Sequence, residues 1–310
     1  MILVAGSANL DYVVRAPHIP APGETVLGQG FATHPGGKGA NQAVAARKAG
    51  GHATHMLLAL GHDSQALVLE QSLIGAGVHL HKVLVTDEAT GCAFICVDEQ
   101  GENAITVAPG ANHRLRAEHL PPLDDYSHLL LQLEIPLDTV LAYARAARAH
   151  GVKVVLNVAP AQPLPPGLLQ LVDILLVNQG ELATLAGAQG SVADQLQRLA
   201  VPTVVVTLGA RGCCAVVNGA LSVQPAYPVT PVDSTGAGDA FCGVLVARLA
   251  QGHGMGDALR HASGAGALKC LRPGAQSGIP DAVELELFLA RQAPIDAASQ
   301  AALRRYCGIA

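Results

Sequence analysis

The stretch Pro231-Val-Asp-Ser-Thr-Gly-Ala-Gly-Asp-Ala-Phe241 sets a carboxylate, Asp239, directly behind Gly-Ala-Gly at the start of an apolar helical run. A helix N-terminus offers unpaired backbone N–H groups and partial positive charge, so Asp239 can be a first-turn charge and nothing more. The same spacing also supports chemistry. Gly236, Ala237 and Gly238 would present successive amides, an anion hole for phosphoryl charge. Asp239 beside that hole could accept a proton from an attacking hydroxyl. A base next to an anion hole means group transfer to an alcohol.

Polar residues elsewhere fall at the ends of apolar runs. In HPGGKGANQAVAAR (His34 to Arg47), Gly36, Gly37 and Gly39 allow close backbone approach to a ligand, and Lys38 and Asn41 offer polar contacts to hydroxyls. The spacing is neither a Walker P-loop nor a dinucleotide fingerprint, and a glycine turn with a solvated Lys is the plain alternative. Asn9 and Asp11 follow the first apolar run and could read sugar hydroxyls or simply form a turn. Glu134 closes LLLQLE, as a site residue or a helix initiator. Asn178 and Glu181, in NQGE, could face one cleft and hold hydrated Mg²⁺, or form a capping box. Thr207 to Gly212, TLGARG, could meet a nucleotide phosphate or serve as a hairpin turn. His52/His55 and His79/His81 have no Cys or acid cluster nearby and are read as surface histidines.

These residues need a scaffold. Apolar runs (MILVAG, HMLLALG, HLLLQLE, KVVLNVAP, DILLVN, TVVVTLG, CCAVVNG) alternate with Ala/Leu-rich helical stretches, which predicts a doubly wound α/β fold: a mostly parallel sheet with helices on both faces. Ligands of such sheets bind at the carboxyl ends of the strands, where the polar residues above fall. Segments 12–35 and 90–108 break the pattern as short strands with turns, DEQGEN reading as a hairpin connection. They are expected to pair as a small β-sheet insertion on a single domain over residues 1–310, serving as a lid, a dimer surface or both. The last stretch, APIDAASQAALRRYCGIA, reads as a peripheral helix and tail.

Composition narrows the partners. Of 310 residues half are hydrophobic and 14% charged, as in a compact enzyme. Aromatics make up 3% with no Trp, and the net charge is −5, so no nucleic-acid partner is expected. No window resembles a membrane span or a signal peptide. Seven cysteines without CxxC spacing suit reduced thiols and a cytoplasmic location.

GGKGANQA near residue 40 together with DSTGAGDAF near residue 239 resembles the ribokinase (PfkB-type) family of sugar kinases, and the similarity runs from GSANLD to RPGAQSGIP. The resemblance implies ATP-dependent phosphorylation of D-ribose at its 5-hydroxyl, with a kinase for a related sugar or nucleoside, or a non-catalytic sugar-binding relative, as alternatives. It implies that Asn9, Asp11, Gly37, Lys38, Asn41 and Glu134 contact the sugar and that Asp239 is the base. Asn178, Thr207, Gly209, Gly212, Gly238 and Ser263 fall at nucleotide-contacting positions, and Glu181 at a Mg²⁺-associated one. Asp233, Thr235, Lys269, Arg272 and Gly274 match the site of an activating monovalent cation, usually K⁺, held largely by backbone carbonyls. The family fold carries a β lid that commonly makes a homodimer. Three positions depart from the pattern: Val158 stands in place of a Pro, Gly278 where relatives often carry Ser, and Ser263 where a larger adenine-side residue can stand.

Overall fold

The computed structural model describes residues 1–309. The chain opens with β1 (Ile2–Ala5), β2 (Asn9–Arg15) and β3 (Gly30–Gly36), then α1 (Lys38–Lys48), β4 (Thr54–Gly61), α2 (Ser64–Gly75) and β5 (His79–Val85). There follow β6 (Cys92–Val97), β7 (Asn103–Ala108), β8 (His128–Leu131), α3 (Leu137–Ala149), β9 (Lys153–Asn157) and β10 (Ile174–Asn178). Next come α4 (Gln179–Ala186), α5 (Val192–Arg198), β11 (Thr203–Thr207), β12 (Gly212–Val217) and β13 (Ala220–Pro225). The C-terminal part is helical, with α6 (Ala237–Ala250), α7 (Met255–Lys269), α8 (Ala282–Arg291) and α9 (Ala297–Cys307).

Nine strands form one sheet in the order β13, β12, β11, β10, β9, β8, β1, β4, β5. From β11 to β5 every pairing is parallel, and β12 and β13 add an antiparallel edge. The central strands are apolar on both sides because helices cover both faces. In β1, Ile2 and Val4 pack into one core with α1, α6 and α7, while Leu3 and Ala5 pack into a second core with Tyr143 of α3. The expected doubly wound sheet is present. No helix among the described residues is long and apolar enough to cross a membrane.

A second sheet has four strands in the order β3, β2, β6, β7. β2 and β6 pair in parallel and the outer pairings are antiparallel. DEQGEN is the expected hairpin connection, turning at Gly101 with φ of +85°. The small sheet begins earlier than residue 12: Asn9 and Asp11 lie in β2 rather than in a turn. Sequence patterning missed two edge strands. β5 (HLHKVLV) mixes polar residues among apolar ones and is mostly half-exposed or exposed, as suits an edge strand, and β13 (ALSVQP) interrupts its apolar residues with Ser222 and Gln224. The C-terminal helix α9 is docked by Leu303 and Cys307, both buried.

Candidate active site

The carboxyl ends of β9 to β11 and the N-termini of α1 and α6 enclose a cleft of about 550 Å³. Lys38, Asn157, Asn178, Glu181, Gly238 and Asp239 are among the residues that line it. Gly236, which also lines it, caps α6 in the left-handed conformation with φ of +77°, where glycine is favoured. The Ala237 N–H donates to Ser234 O at 3.1 Å and is committed to the turn, so of the three amides expected to form an anion hole this one is already paired. Gly238 has open space where a side chain would stand.

Asp239 is buried in the first turn of α6, and both its oxygens are held. Asn41 Nδ2 donates to Oδ2 and Gln42 Nε2 to Oδ1, each at 2.9 Å. Gln42 Nε2 also donates to Asn157 Oδ1 at 2.9 Å, and Gln42 Oε1 accepts from Gln132 Nε2 at 2.7 Å. A buried chain of amides from three elements thus fixes the carboxylate's rotamer, which a cap residue facing solvent would not require. Asn41 Oδ1 is buried and has no hydrogen-bond partner. An unsatisfied buried acceptor is costly, and a ligand hydroxyl would relieve it.

The other expected sugar-contacting residues gather around α1. Glu134 Oε2 accepts from the Lys38 N–H at 3.1 Å and from the Ser7 hydroxyl. Asn9 Oδ1 accepts from Asn112 Nδ2 at 2.8 Å, and Asn112 Oδ1 accepts from the Ala8 N–H, so Asn112 fixes the β1–β2 turn. Gly37 has φ of +88°, and a side chain there would strike Asn9 N at 2.7 Å. Burial, with the charges of Glu134 and Asp239 nearby, pushes the Asp11 carboxyl up to about 7, against a pull downward from Lys38. Burial opposes the Lys38 charge, but Asp239, Glu134 and Glu181 together hold it above the ordinary lysine range. Lys38 is therefore a cation facing a group of carboxylates.

On the opposite wall, Asn178 and Glu181 form the capping box of α4: Asn178 Oδ1 accepts from the Glu181 N–H at 2.8 Å and Glu181 Oε2 from the Asn178 N–H at 2.7 Å. The capping and functional readings coexist, since the box occupies one Glu181 oxygen while the residue also lines the cleft. Burial pushes the Glu181 carboxyl up, partly offset by the Asn178 hydrogen bond and Lys38. Thr207 lines the cleft; Gly209, Gly212 and Ser263 do not. A side chain at Gly212 would meet Gln224 O at 2.1 Å, so this glycine is required for the close β12–β13 approach. The Ser263 hydroxyl lies 3.7 Å from Cys213 Sγ against β12.

The expected cation residues also come together, but with a different occupant. Asp233 accepts from the Thr235 N–H at 2.9 Å and the Gly274 N–H at 2.8 Å. Arg272 sends its guanidinium away, in a bidentate pair with Glu284. Lys269 contributes its side chain rather than its backbone carbonyl, donating from Nζ to Asp233 O at 2.8 Å and Arg272 O at 3.3 Å. The histidine reading needs correction as well. His55, His79 and His81 converge with ligand atoms all within 4.8 Å of one another, and His55 and His81 are half-buried rather than free at the surface. The registry β4–β5 places His55 opposite His79, which no sequence spacing revealed.

Gln42, Gln132, Asn157, Ser7 and Asn112 were missed from sequence. Their signal was a polar side chain inside a buried run, as in LLLQLE, with its partner about a hundred residues away.

A parallel sheet with a buried carboxylate held at a helix N-terminus, beside a polar strand-end pocket, is an arrangement suited to a phosphotransferase acting on an alcohol. The description "pfkB family carbohydrate kinase" matches residues 1–282, and the chain belongs to that family. It is 37% identical over 302 residues to a ribokinase of Haemophilus influenzae, covering 93% of this chain and 98% of the relative. A ribokinase of Bacillus subtilis is 35% identical over 93% of this chain and 99% of its own. Among solved structures, a ribokinase from Thermotoga maritima superposes with a TM-score of 0.87 at 34% identity, covering 94% and 99% of the two chains. The Arabidopsis thaliana ribokinase complexed with ribose and ATP gives 0.85 at 31% identity over 94% and 99%.

Proposed function

We infer that the chain transfers the γ-phosphoryl group of ATP to the 5-hydroxyl of D-ribose, giving ribose 5-phosphate and ADP. The observation that carries this is Asp239, gripped by Asn41 and Gln42 and bordered by Gly238, beside a buried Asn41 oxygen that lacks a partner. Asp239 takes the proton of the attacking hydroxyl, and the amides next to it stabilise the transferring group. Asn9, Asp11, Lys38, Asn41 and Glu134 orient the sugar. Asn178, Thr207 and Gly238 face the nucleotide.

Mg²⁺ fits the donor set, because Glu181 keeps one carboxylate oxygen outside its capping box and the ion retains several waters. It would offset phosphate charge, and Glu181, with Asn178 beside it, would hold it through water. The four-stranded sheet serves as a lid over the sugar end and as the surface of a homodimer, supported by exposed Phe31, Phe94, Ile105 and Val107 on its strands. Seven free cysteines among the described residues support a cytoplasmic setting.

An ADP-release assay across ribose, deoxyribose, ketoses and nucleosides tests the reading. Ribose should give the highest kcat/KM; poor turnover of ribose with brisk turnover of another substrate would replace it, and the absence of turnover stimulated by any sugar or nucleoside would point to a sugar-binding relative without kinase activity.

A further inference from the structure

The Lys269 side chain is 0% exposed, an unusual place for an ammonium group. Its three donors meet three oxygens: Asp233 O at 2.8 Å, Arg272 O at 3.3 Å and Asp233 Oδ2 at 3.5 Å. Asp233 and Arg272 are two of the residues expected to hold a monovalent cation, and an ion cannot share these oxygens with the ammonium. The K⁺ expectation therefore does not fit these residues. Gly278 belongs to the same arrangement. A side-chain carbon there would meet Gly274 O at 2.8 Å, Lys269 Cε at 3.0 Å and Arg272 O at 3.1 Å. The lysine and the missing Ser side chain are thus two halves of one change: the volume and charge of an ion have been replaced by a tethered ammonium.

We propose that Lys269 is a built-in monovalent cation that shapes the anion hole, so that turnover does not depend on K⁺. It acts as a positioning residue. Asp233, which Lys269 neutralises, also takes the Thr235 and Gly274 N–H groups and so ties the approach to Gly236 to the loop after α7. The proposal rests on the kinase reading for its kinetic arm only.

The test uses tag-free protein at constant ionic strength, with K⁺ exchanged for choline. Wild type should show unchanged kcat in the two salts and, without sugar or nucleotide, unchanged Tm. Lys269→Ala should lose at least about tenfold in kcat in choline, with K⁺ or NH₄⁺ restoring part of the rate and raising Tm. Should that variant not fold, Lys269→Met keeps the volume; it should lose rate with no K⁺ rescue. Wild-type protein whose Tm and kcat both climb with K⁺, or either variant turning over at the wild-type rate in choline, would overturn the proposal. The sugar-free Tm arm is independent of which sugar is the substrate.

A second site stands on a separate observation. His55, His79 and His81 lie near the amino ends of β4 and β5, at the opposite end of the strands from Asp239. Tetrahedral zinc with Zn–N of about 2.0–2.1 Å sets its nitrogens about 3.3–3.4 Å apart. His55 Nδ1 and His81 Nε2 are already 3.3 Å apart, bridged by the Tyr126 hydroxyl at 2.7 and 2.9 Å. His79 is exposed and needs only a side-chain adjustment to close the set. We infer that this trio takes one zinc-class divalent ion, with water in the fourth position, clamping edge strand β5 to β4. Titration of tag-free, nucleotide-free protein with Zn²⁺ should give one site, and Co²⁺ should give visible d–d bands without thiolate charge transfer. His79→Ala, at an exposed position, should weaken Zn²⁺ at least about tenfold. Unaltered Zn²⁺ affinity in both His79→Ala and His81→Ala, or Co²⁺ spectra showing sulfur ligation, would overturn it.

Discussion

At the residue scale, Asp239 is distinguished by how it is held. Removing its charge as Asp239→Asn should lower kcat by about 10²- to 10⁴-fold with little change in Tm, the range expected of a positioned base. Gln42→Leu should lower kcat up to about 10²-fold while leaving the KM for ATP unchanged, because Gln42 aims the carboxylate without lining the cleft proposed to take the nucleotide. Steady-state kinetics on folded variants check both. Asp11 gives a pH prediction. Its carboxyl is pushed up to about 7 from 3.8, so the native state holds a proton there between those values that the unfolded chain has lost. Its contribution to stability therefore falls as pH rises across that window, and is level above it. Accepting sugar hydroxyls favours the ionised form, so kcat/KM for ribose should rise as pH passes upward through about 7. Asp11→Asn should remove that limb of the profile.

Elements carry these residues to one place, and glycines set how closely they approach. A side chain at Gly39 would meet Gly6 C and Ser7 N, each at 2.7 Å, so α1 sits directly on the β1–β2 turn. Gly39→Ala should push the helix away, lowering stability by about 1–3 kcal/mol, the usual range for overpacking. It should also lower kcat, since Asn41 and Gln42 ride on the same helix. Thermal denaturation and kinetics together measure the coupling. The Asp239 and Asn41 segments were legible in the sequence because a glycine-rich turn before a helix is local information. Gln42, Gln132 and Asn157 were not, because their meaning arises only when α1, β8 and β9 meet. The family resemblance implied the Lys269 backbone at the cation site; the structure brings its side chain to Asp233 O and Arg272 O, beside Gly278, which only packing could reveal. β5 hid because an edge strand loses the continuous apolar pattern that marks its neighbours.

Across the whole molecule, the small sheet is where association is to be sought. Phe31 is 70% and Phe94 54% exposed, and both stack on Tyr12, with ring centroids 6.2 and 5.5 Å away. Soluble proteins seldom leave such a face bare. Phe94→Glu should shift the protein to a monomer in sedimentation velocity, and wild type that is monomeric at micromolar concentrations would rule this surface out as the dimer contact.

The parallel pairing of β2 with β6 has a further consequence, for the order of assembly. Between these strands the chain runs through β3, which pairs with β2, and then α1, β4, α2 and β5, of which β4 and β5 are strands of the large sheet. The small sheet can close only after that stretch has folded, since its two middle strands meet nowhere else. During synthesis the β2–β3 and β6–β7 pairs must therefore wait for one another, and in the finished protein the small sheet should be the first part to exchange its amide hydrogens, opening while the large sheet remains intact.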